Sequence, residues 1–122
     1  MPAASIAFEA PENTAYAGPS ASRPVDLVHL ARQTMGDKGL EIEILALFAR
    51  QARSALADMA SGDGVATSAI AHRIKGAASA IGAFKVASAA GEIEAGQADA
   101  ATVARFSAAV IEAENFINKL CR

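Results

Sequence analysis

The chain has little cysteine and few aromatic residues, and these absences narrow its structural class. One of its 122 residues is cysteine, Cys121, so neither an internal disulfide nor a multi-cysteine metal site can form. Tryptophan is absent and aromatic residues make up 5% of the chain, whereas alanine is abundant. This composition favours closely packed helices over a sheet built from β-branched and aromatic residues. We therefore predict an all-α fold.

The charge and hydropathy of the chain argue against two further classes of protein. The 11 basic and 13 acidic side chains give a formal net charge of −2, and no basic stripe interleaved with aromatic residues occurs, so we expect no nucleic-acid partner. No uninterrupted apolar run is long enough to span a bilayer. The first basic residue is Arg23, so the cationic start of a secretory signal is missing. We expect a cytoplasmic protein that does not enter the membrane.

Residues 1–22 differ in composition from the rest of the chain. They mix Ala, Pro, Ser, Gly, Asn and Glu without a helical or strand period, and they hold three of the four prolines. These features predict a flexible amino-terminal tail. The remainder, residues 23–122, has the size of one domain with one modest core.

Five helices are predicted in residues 23–122 from apolar spacing and from the residues that begin and end helices. A short helix follows a capping Ser22 and reaches about Thr34, and a long helix runs over about 40–60. A third helix ends near Gly82, and two more run over about 84–97 and 99–120. Short connections between long helices predict an antiparallel up-down-up-down four-helix bundle, with the short helix as an addition.

The apolar stripes of these helices define the predicted core. They are Leu27, Leu30 and Ala31; Ile42, Ile44, Leu45, Leu47, Phe48, Ala49, Ala52, Leu56 and Met59; Ile70, Ile74, Ala77 and Ile81; Val86, Ala90 and Ile93; and Val103, Phe106, Val110, Ala113, Ile117 and Leu120.

His72 lies in the third predicted helix, in the run Ala71-His72-Arg73-Ile74-Lys75-Gly76. At about 100° per residue, the apolar residues of this helix fall near the pole opposite His72, so its ring is predicted to face water. The same face carries small, polar or charged residues: Ser68, Lys75, Gly76 and Ser79.

The residue types around His72 suit phosphoryl chemistry. An exposed imidazole is mostly neutral slightly above pH 7, and the lone pair of its free nitrogen can attack phosphorus. Lys75, one turn further on, can offset negative charge on a phosphoryl group. Gly76 costs the helix about 1 kcal/mol relative to alanine. Clearance around the ring explains that cost, whereas close helix packing is the alternative explanation.

The pattern His-x-x-Lys-Gly-x-x-x-x-x-Gly, formed by His72, Lys75, Gly76 and Gly82, resembles the signature of histidine-containing phosphotransfer (HPt) domains. The resemblance covers residues 24–120 and includes Phe48 as an aromatic in the preceding helix. It implies a phosphoryl carrier and not an enzyme in its own right, since no nucleotide-binding motif occurs. His72 would accept a phosphoryl group from a receiver-domain aspartate and pass it to another response-regulator receiver in a phosphorelay.

The resemblance also implies partners, cofactors and roles for further residues. The partners are receiver domains and a sensor or hybrid histidine kinase; magnesium belongs to the receiver, and this chain binds no cofactor or metal. Family members often place an acid or an amide beside the histidine, where Glu94, or its rival Glu92, could hydrogen-bond a ring nitrogen and fix the tautomer. The residues assigned to receiver contact are Arg73, Gly76, Ser79, Ala80, Gly82 and Ala83. The alternative for Arg73 is a solvated side chain without a partner.

Two other functions are alternatives to the phosphoryl carrier. A receiver-binding helical adaptor would use the same fold without phosphotransfer. A metal-dependent helical hydrolase is disfavoured because the chain has two histidines and no His-x-x-x-His or Glu-x-x-His pair. We expect a monomer that is either free-standing or part of a larger hybrid kinase.

Overall fold

The computed structural model of the protein describes residues 23–61 and 64–121. Within these residues there are five helices and no strand: α1 (Leu27–Thr34), α2 (Lys38–Ala60), α3 (Gly64–Ile81), α4 (Phe84–Glu94) and α5 (Ala100–Leu120). The predicted all-α class is thereby confirmed. The predicted tail, residues 1–22, lies outside the described residues.

Aspartate side chains cap the amino ends of α1, α2 and α5. The Asp26 carboxylate accepts hydrogen bonds from two backbone N–H groups of α1, and Asp37 and Asp99 each accept one from the first turn of their helix. These contacts satisfy N–H groups that have no partner within the helix. The cap of α1 is therefore Asp26 and not the predicted Ser22.

The carboxyl end of α4 lies earlier in the chain than predicted. The helix ends at Glu94 and does not reach Gln97, because Gly96 adopts a φ of +102° that terminates it.

The four long helices contact one another in a closed sequence of neighbours. α2 packs on α3, α3 on α4, α4 on α5, and α5 on α2, while the short α1 packs on α2 and α3. The side chains that fill the space between them are aliphatic residues and two phenylalanines. The buried apolar residues larger than alanine include Val25, Leu30, Leu45, Phe48, Ile70, Ile74, Ile81, Val86, Ile93, Phe106, Val110 and Ile117.

Three residues predicted to lie in the core are exposed. Ile42, Leu47 and Leu120 have 49%, 47% and 45% of their surface in solvent. The buried stripe of α2 follows Leu45 and Phe48, and Ile42 and Leu47 lie on its two flanks. Leu120 is the last residue of α5. The spacing of apolar residues therefore identified the buried stripe of α2 but overestimated its width.

The two-residue connection between α3 and α4 is hydrogen-bonded to the residue that precedes α1. Gly82 has a φ of +85°, a conformation that glycine adopts at little cost, and its carbonyl oxygen accepts a hydrogen bond from the Asp26 N–H at 3.0 Å. Gly82 and Ala83 are both buried, so their predicted place on the receiver-contacting surface is wrong. The reason is this packing of the segment at Asp26 against the α3–α4 turn.

Candidate functional site

The imidazole of His72 stands in solvent on the outer face of α3. Its side chain is 71% exposed, whereas Ala71, one residue before it, and Ile74, two residues after it, are buried. Ile70 and Ile81 are buried as well, so the inner face of α3 is the predicted one. A second protein can therefore reach the ring without any rearrangement of the helices.

A carboxylate at the end of α4 contacts both His72 and Lys75 of α3. Glu94 Oε2 lies 2.6 Å from His72 Nδ1, and Glu94 Oε1 lies 2.7 Å from Lys75 Nζ. The side chains of Lys75 and Glu94 are 41% and 26% exposed, which places this contact partly out of solvent. The structure thus brings together the histidine, the lysine and the acid that the sequence singled out.

The two contacts keep the Glu94 carboxyl group ionised. Hydrogen bonding from Lys75, and secondly from His72, lowers the pKa of Glu94 from its ordinary value of 4.5. Because the pKa is lower in the folded state, these contacts stabilise the fold above about pH 4.5, and that contribution is lost as the pH falls through the lowered pKa. Around neutral pH the group beside the imidazole is therefore a carboxylate.

The ionised Glu94 assigns the ring nitrogens of His72 their roles. A carboxylate only accepts hydrogen bonds, so the 2.6 Å contact requires a hydrogen on Nδ1. In a neutral ring with a hydrogen on Nδ1, the nitrogen Nε2 carries none and keeps its lone pair. The hydrogen itself is assigned from this geometry. The neutral form of this exposed ring therefore has its free lone pair on Nε2.

Two further contacts join α3 to α4 around this group. The Ser68 hydroxyl donates a hydrogen bond to the backbone carbonyl of Glu94 at 3.3 Å. The Lys75 chain lies over Gly91, where an added Cβ would meet Lys75 Cδ at 3.5 Å. Neither contact was predicted, because the sequence does not show which carbonyl or backbone position a neighbouring helix will present.

Glu92, the rival of Glu94, contacts α5 and not His72. Its carboxylate pairs with the Arg105 guanidinium, with Nη1 at 3.2 Å from Oε2 and Nη2 at 2.5 Å from Oε1. This hydrogen bonding lowers the pKa of Glu92 and raises that of Arg105. Of the two acids, Glu94 alone is the one that meets the imidazole.

Four of the six residues assigned to receiver contact lie on the surface of α3. Arg73, Gly76, Ser79 and Ala80 are exposed. A Cβ on Gly76 would find nothing within 4 Å, so close helix packing does not explain this glycine. The backbone beside the ring is therefore open to an approaching molecule.

An apolar groove between α2 and α3 adjoins this surface. It encloses about 180 Å³ and includes Ala80. The exposed Leu47 belongs to it, although the sequence assigned that residue to the core. Its lining residues are Ile44, Leu47, Phe48, Gln51, Ala77, Ala80 and Ile81.

No three His, Cys, Asp or Glu side chains in the described part of the chain are grouped so that they could hold a metal ion. None of the helices in residues 23–61 and 64–121 combines the length and the apolar character that crossing a membrane requires.

Fold and site together define a small all-helical domain that presents a hydrogen-bonded histidine on an open helix face. The family model of the Hpt domain matches residues 43–116, which contain His72, Lys75 and Glu94. The chain belongs to the Hpt domain family, whose members take part in histidine phosphotransfer in two-component phosphorelays. No curated protein and no solved structure matches the sequence.

Proposed function

We propose that this protein is a phosphoryl carrier in which His72 accepts a phosphoryl group from a receiver-domain aspartate and passes it to another response-regulator receiver. The family match supports receiver domains and histidine kinases as the kinds of partner. The observation that carries the assignment to His72 is the contact between its Nδ1 and Glu94, which leaves Nε2 free on a ring that is 71% exposed.

The transfer proceeds without a proton leaving the ring. The Nε2 lone pair attacks the phosphorus of the aspartyl phosphate, the N–P bond forms, and the P–O bond to the aspartate breaks to release a carboxylate. The ring keeps its hydrogen on Nδ1 and gains a positive charge that the Glu94 carboxylate balances. Transfer to the next receiver runs the same steps in reverse. Lys75 offsets the negative charge of the phosphoryl group, and the magnesium ion belongs to the receiver.

The direct test is to incubate the protein with a phosphorylated receiver and follow acid-labile phosphate. Appearance of that phosphate on this chain is the expected result. Receiver binding without any transfer, with every receiver tried, would replace the carrier with a receiver-binding adaptor.

Replacing Glu94 with alanine should change the protonation of the His72 ring. In the wild type we expect the Nδ1–H form to predominate, because only that form donates to Glu94. In Glu94→Ala we expect both tautomers and a transfer rate lower by roughly tenfold. Ring ¹⁵N chemical shifts report the tautomer. Glu112→Ala, which removes an exposed carboxylate of α5 paired with Lys85, is the control; a ring that keeps one tautomer in Glu94→Ala would remove Glu94 from the mechanism.

Replacing Gly76 with leucine should impair receiver docking and leave the chemistry of the ring intact. A Cβ at position 76 finds nothing within 4 Å, the residue is exposed, and leucine improves helix propensity, so the fold should be retained. We expect slower transfer from a phosphorylated receiver and unchanged phosphorylation by a small donor such as phosphoramidate. Lys75→Ala should slow both reactions because Lys75 acts on the phosphoryl group itself. Normal receiver transfer in Gly76→Leu would show that this surface is not the docking surface.

We propose that α2 to α5 form the antiparallel up-down-up-down four-helix bundle expected from the sequence, with α1 as an additional helix. The closed sequence of helix contacts and the two-residue α3–α4 connection support it. A monomeric state and a cytoplasmic location stay predictions from the sequence.

A further inference from the structure

We propose that Arg105 of α5 is a positioning residue for the phosphotransfer site, because it holds the last turn of α4 where Glu94 can reach His72. The inference rests on the proposed function of His72. Arg105 touches neither His72 nor the incoming phosphoryl group. Its role is to help set the tautomer of the ring through the position of Glu94.

Glu94 lies at the end of α4, where the repeating hydrogen bonds of the helix stop. It is the last residue of α4, and Gly96 follows with a φ of +102°. The carbonyl groups of this turn find other partners: those of Glu92 and Ile93 accept hydrogen bonds from the Gln97 and Gly96 N–H groups, and that of Glu94 accepts one from the Ser68 hydroxyl. A hydrogen bond of 2.6 Å to His72 also requires a defined position of this turn relative to α3. Contacts from outside α4 must therefore contribute.

Arg105 supplies such a contact two residues before Glu94. Its two terminal guanidinium nitrogens, Nη1 and Nη2, meet the two carboxylate oxygens of Glu92, a paired geometry that fixes orientation as well as distance. Nη2 also lies 3.3 Å from the Thr102 hydroxyl, and the Thr102 N–H is hydrogen-bonded to the capping Asp99. The last turn of α4 is thereby tied to the first turn of α5.

The same fold contains a second pair of this kind that does not involve α3 or α4. Arg53 of α2 contacts Glu114 of α5 through two guanidinium nitrogens. The exposed fractions are similar in the two pairs, at 58% and 22% for Arg53 and Glu114 against 55% and 34% for Arg105 and Glu92. Exposed ion pairs contribute little to global stability, so both arginines should be equally dispensable for folding. A difference between them at His72 therefore reports position and not stability.

The test compares Arg105→Gln with Arg53→Gln in the full-length protein. In Arg105→Gln we expect a smaller fraction of the Nδ1–H form of His72 in ring ¹⁵N spectra and an initial transfer rate that is about two- to fivefold lower. In Arg53→Gln we expect the wild-type spectrum and rate. Arg105→Lys, which keeps the charge without the paired geometry, should restore part of the loss, and Glu92→Gln should reproduce it.

A double variant tests whether Arg105 acts through Glu94. Adding Arg105→Gln to Glu94→Ala should change the His72 spectrum no further, because the intermediary has been removed. An unchanged spectrum in Arg105→Gln, the same change in Arg53→Gln, or an additional change in the double variant would each overturn the proposal. The spectra do not depend on phosphotransfer, so a wild-type protein that accepts no phosphate would refute the proposed function while this comparison still decides the positioning.

Discussion

Replacing His72 with glutamine is expected to abolish acceptance of the phosphoryl group from a phosphorylated receiver and to leave the fold intact. The imidazole is the nucleophile, and a glutamine amide has no nitrogen lone pair that can attack phosphorus at a comparable rate. The side chain is 71% exposed and loses only a surface contact with Glu94, so the free energy of unfolding should change by no more than about 1 kcal/mol. Acid-labile phosphate and thermal melting, measured on the same preparation, give both quantities.

The second histidine supplies the control for this experiment. His29 in α1 is partly buried, and its ring meets that of Phe84 edge-on at a centroid distance of 5.3 Å. His29→Gln should accept phosphate at the wild-type rate. Residual phosphate on His72→Gln would place the acceptor elsewhere, and a large fall in its melting temperature would contradict the exposed position of the ring.

Replacing Gly82 with alanine is expected to destabilise the protein by about 2–4 kcal/mol. A left-handed backbone conformation costs a residue with a Cβ about 1–2 kcal/mol. In addition, the Cβ would lie 2.9 Å from the backbone oxygen of Asp26, which cannot move without displacing the start of α1. The melting temperature should fall by roughly 10 °C or more.

Gly36 separates the two causes of this loss. Its φ of +81° is close to that of Gly82, but an added Cβ would meet nothing within 4 Å. Gly36→Ala should therefore cost only the backbone contribution of about 1–2 kcal/mol. Equal losses of stability in the two variants would show that the contact with Asp26 has no energetic consequence.

The exposed face of α3 could be predicted because helix geometry is local. The spacing of Ile70, Ile74 and Ile81 fixes the buried side of the helix, and His72 follows on the opposite side without knowledge of any neighbour. The cap of α1 does not follow from local geometry alone, since Ser22 and Asp26 both suit a helix start by residue type. Only the observed beginning of α1 at Leu27 selects Asp26.

The choice between Glu92 and Glu94 illustrates what the sequence could not resolve. Both acids lie near the height of His72, and the rotation of α4 about its axis decides which one faces α3. That rotation depends on packing between helices and on the presence of Arg105 in α5 as a partner for Glu92. The spacing of residues within α4 determines neither the packing of the helix nor the position of Arg105.

The two glycines of the signature are required for different physical reasons, and the sequence pattern does not distinguish these reasons. Gly76 is exposed with open space beside it, whereas Gly82 is a buried turn residue against Asp26. The sequence therefore placed both on one contact surface, and it did so wrongly for Gly82. On α2 the same limitation applies to Ile42 and Leu47, because alternating threes and fours do not separate the centre of an apolar stripe from its flanks.

The most direct test of the account is to locate the phosphorus atom on the ring. Protein labelled with ¹⁵N-histidine is phosphorylated by a receiver, and coupling between ³¹P and the ring nitrogens is measured by NMR. We predict phosphorus on Nε2 of His72, with the hydrogen on Nδ1 still bonded to Glu94. Phosphorus on Nδ1 of His72 or on His29, or the absence of any phosphohistidine, would contradict the account.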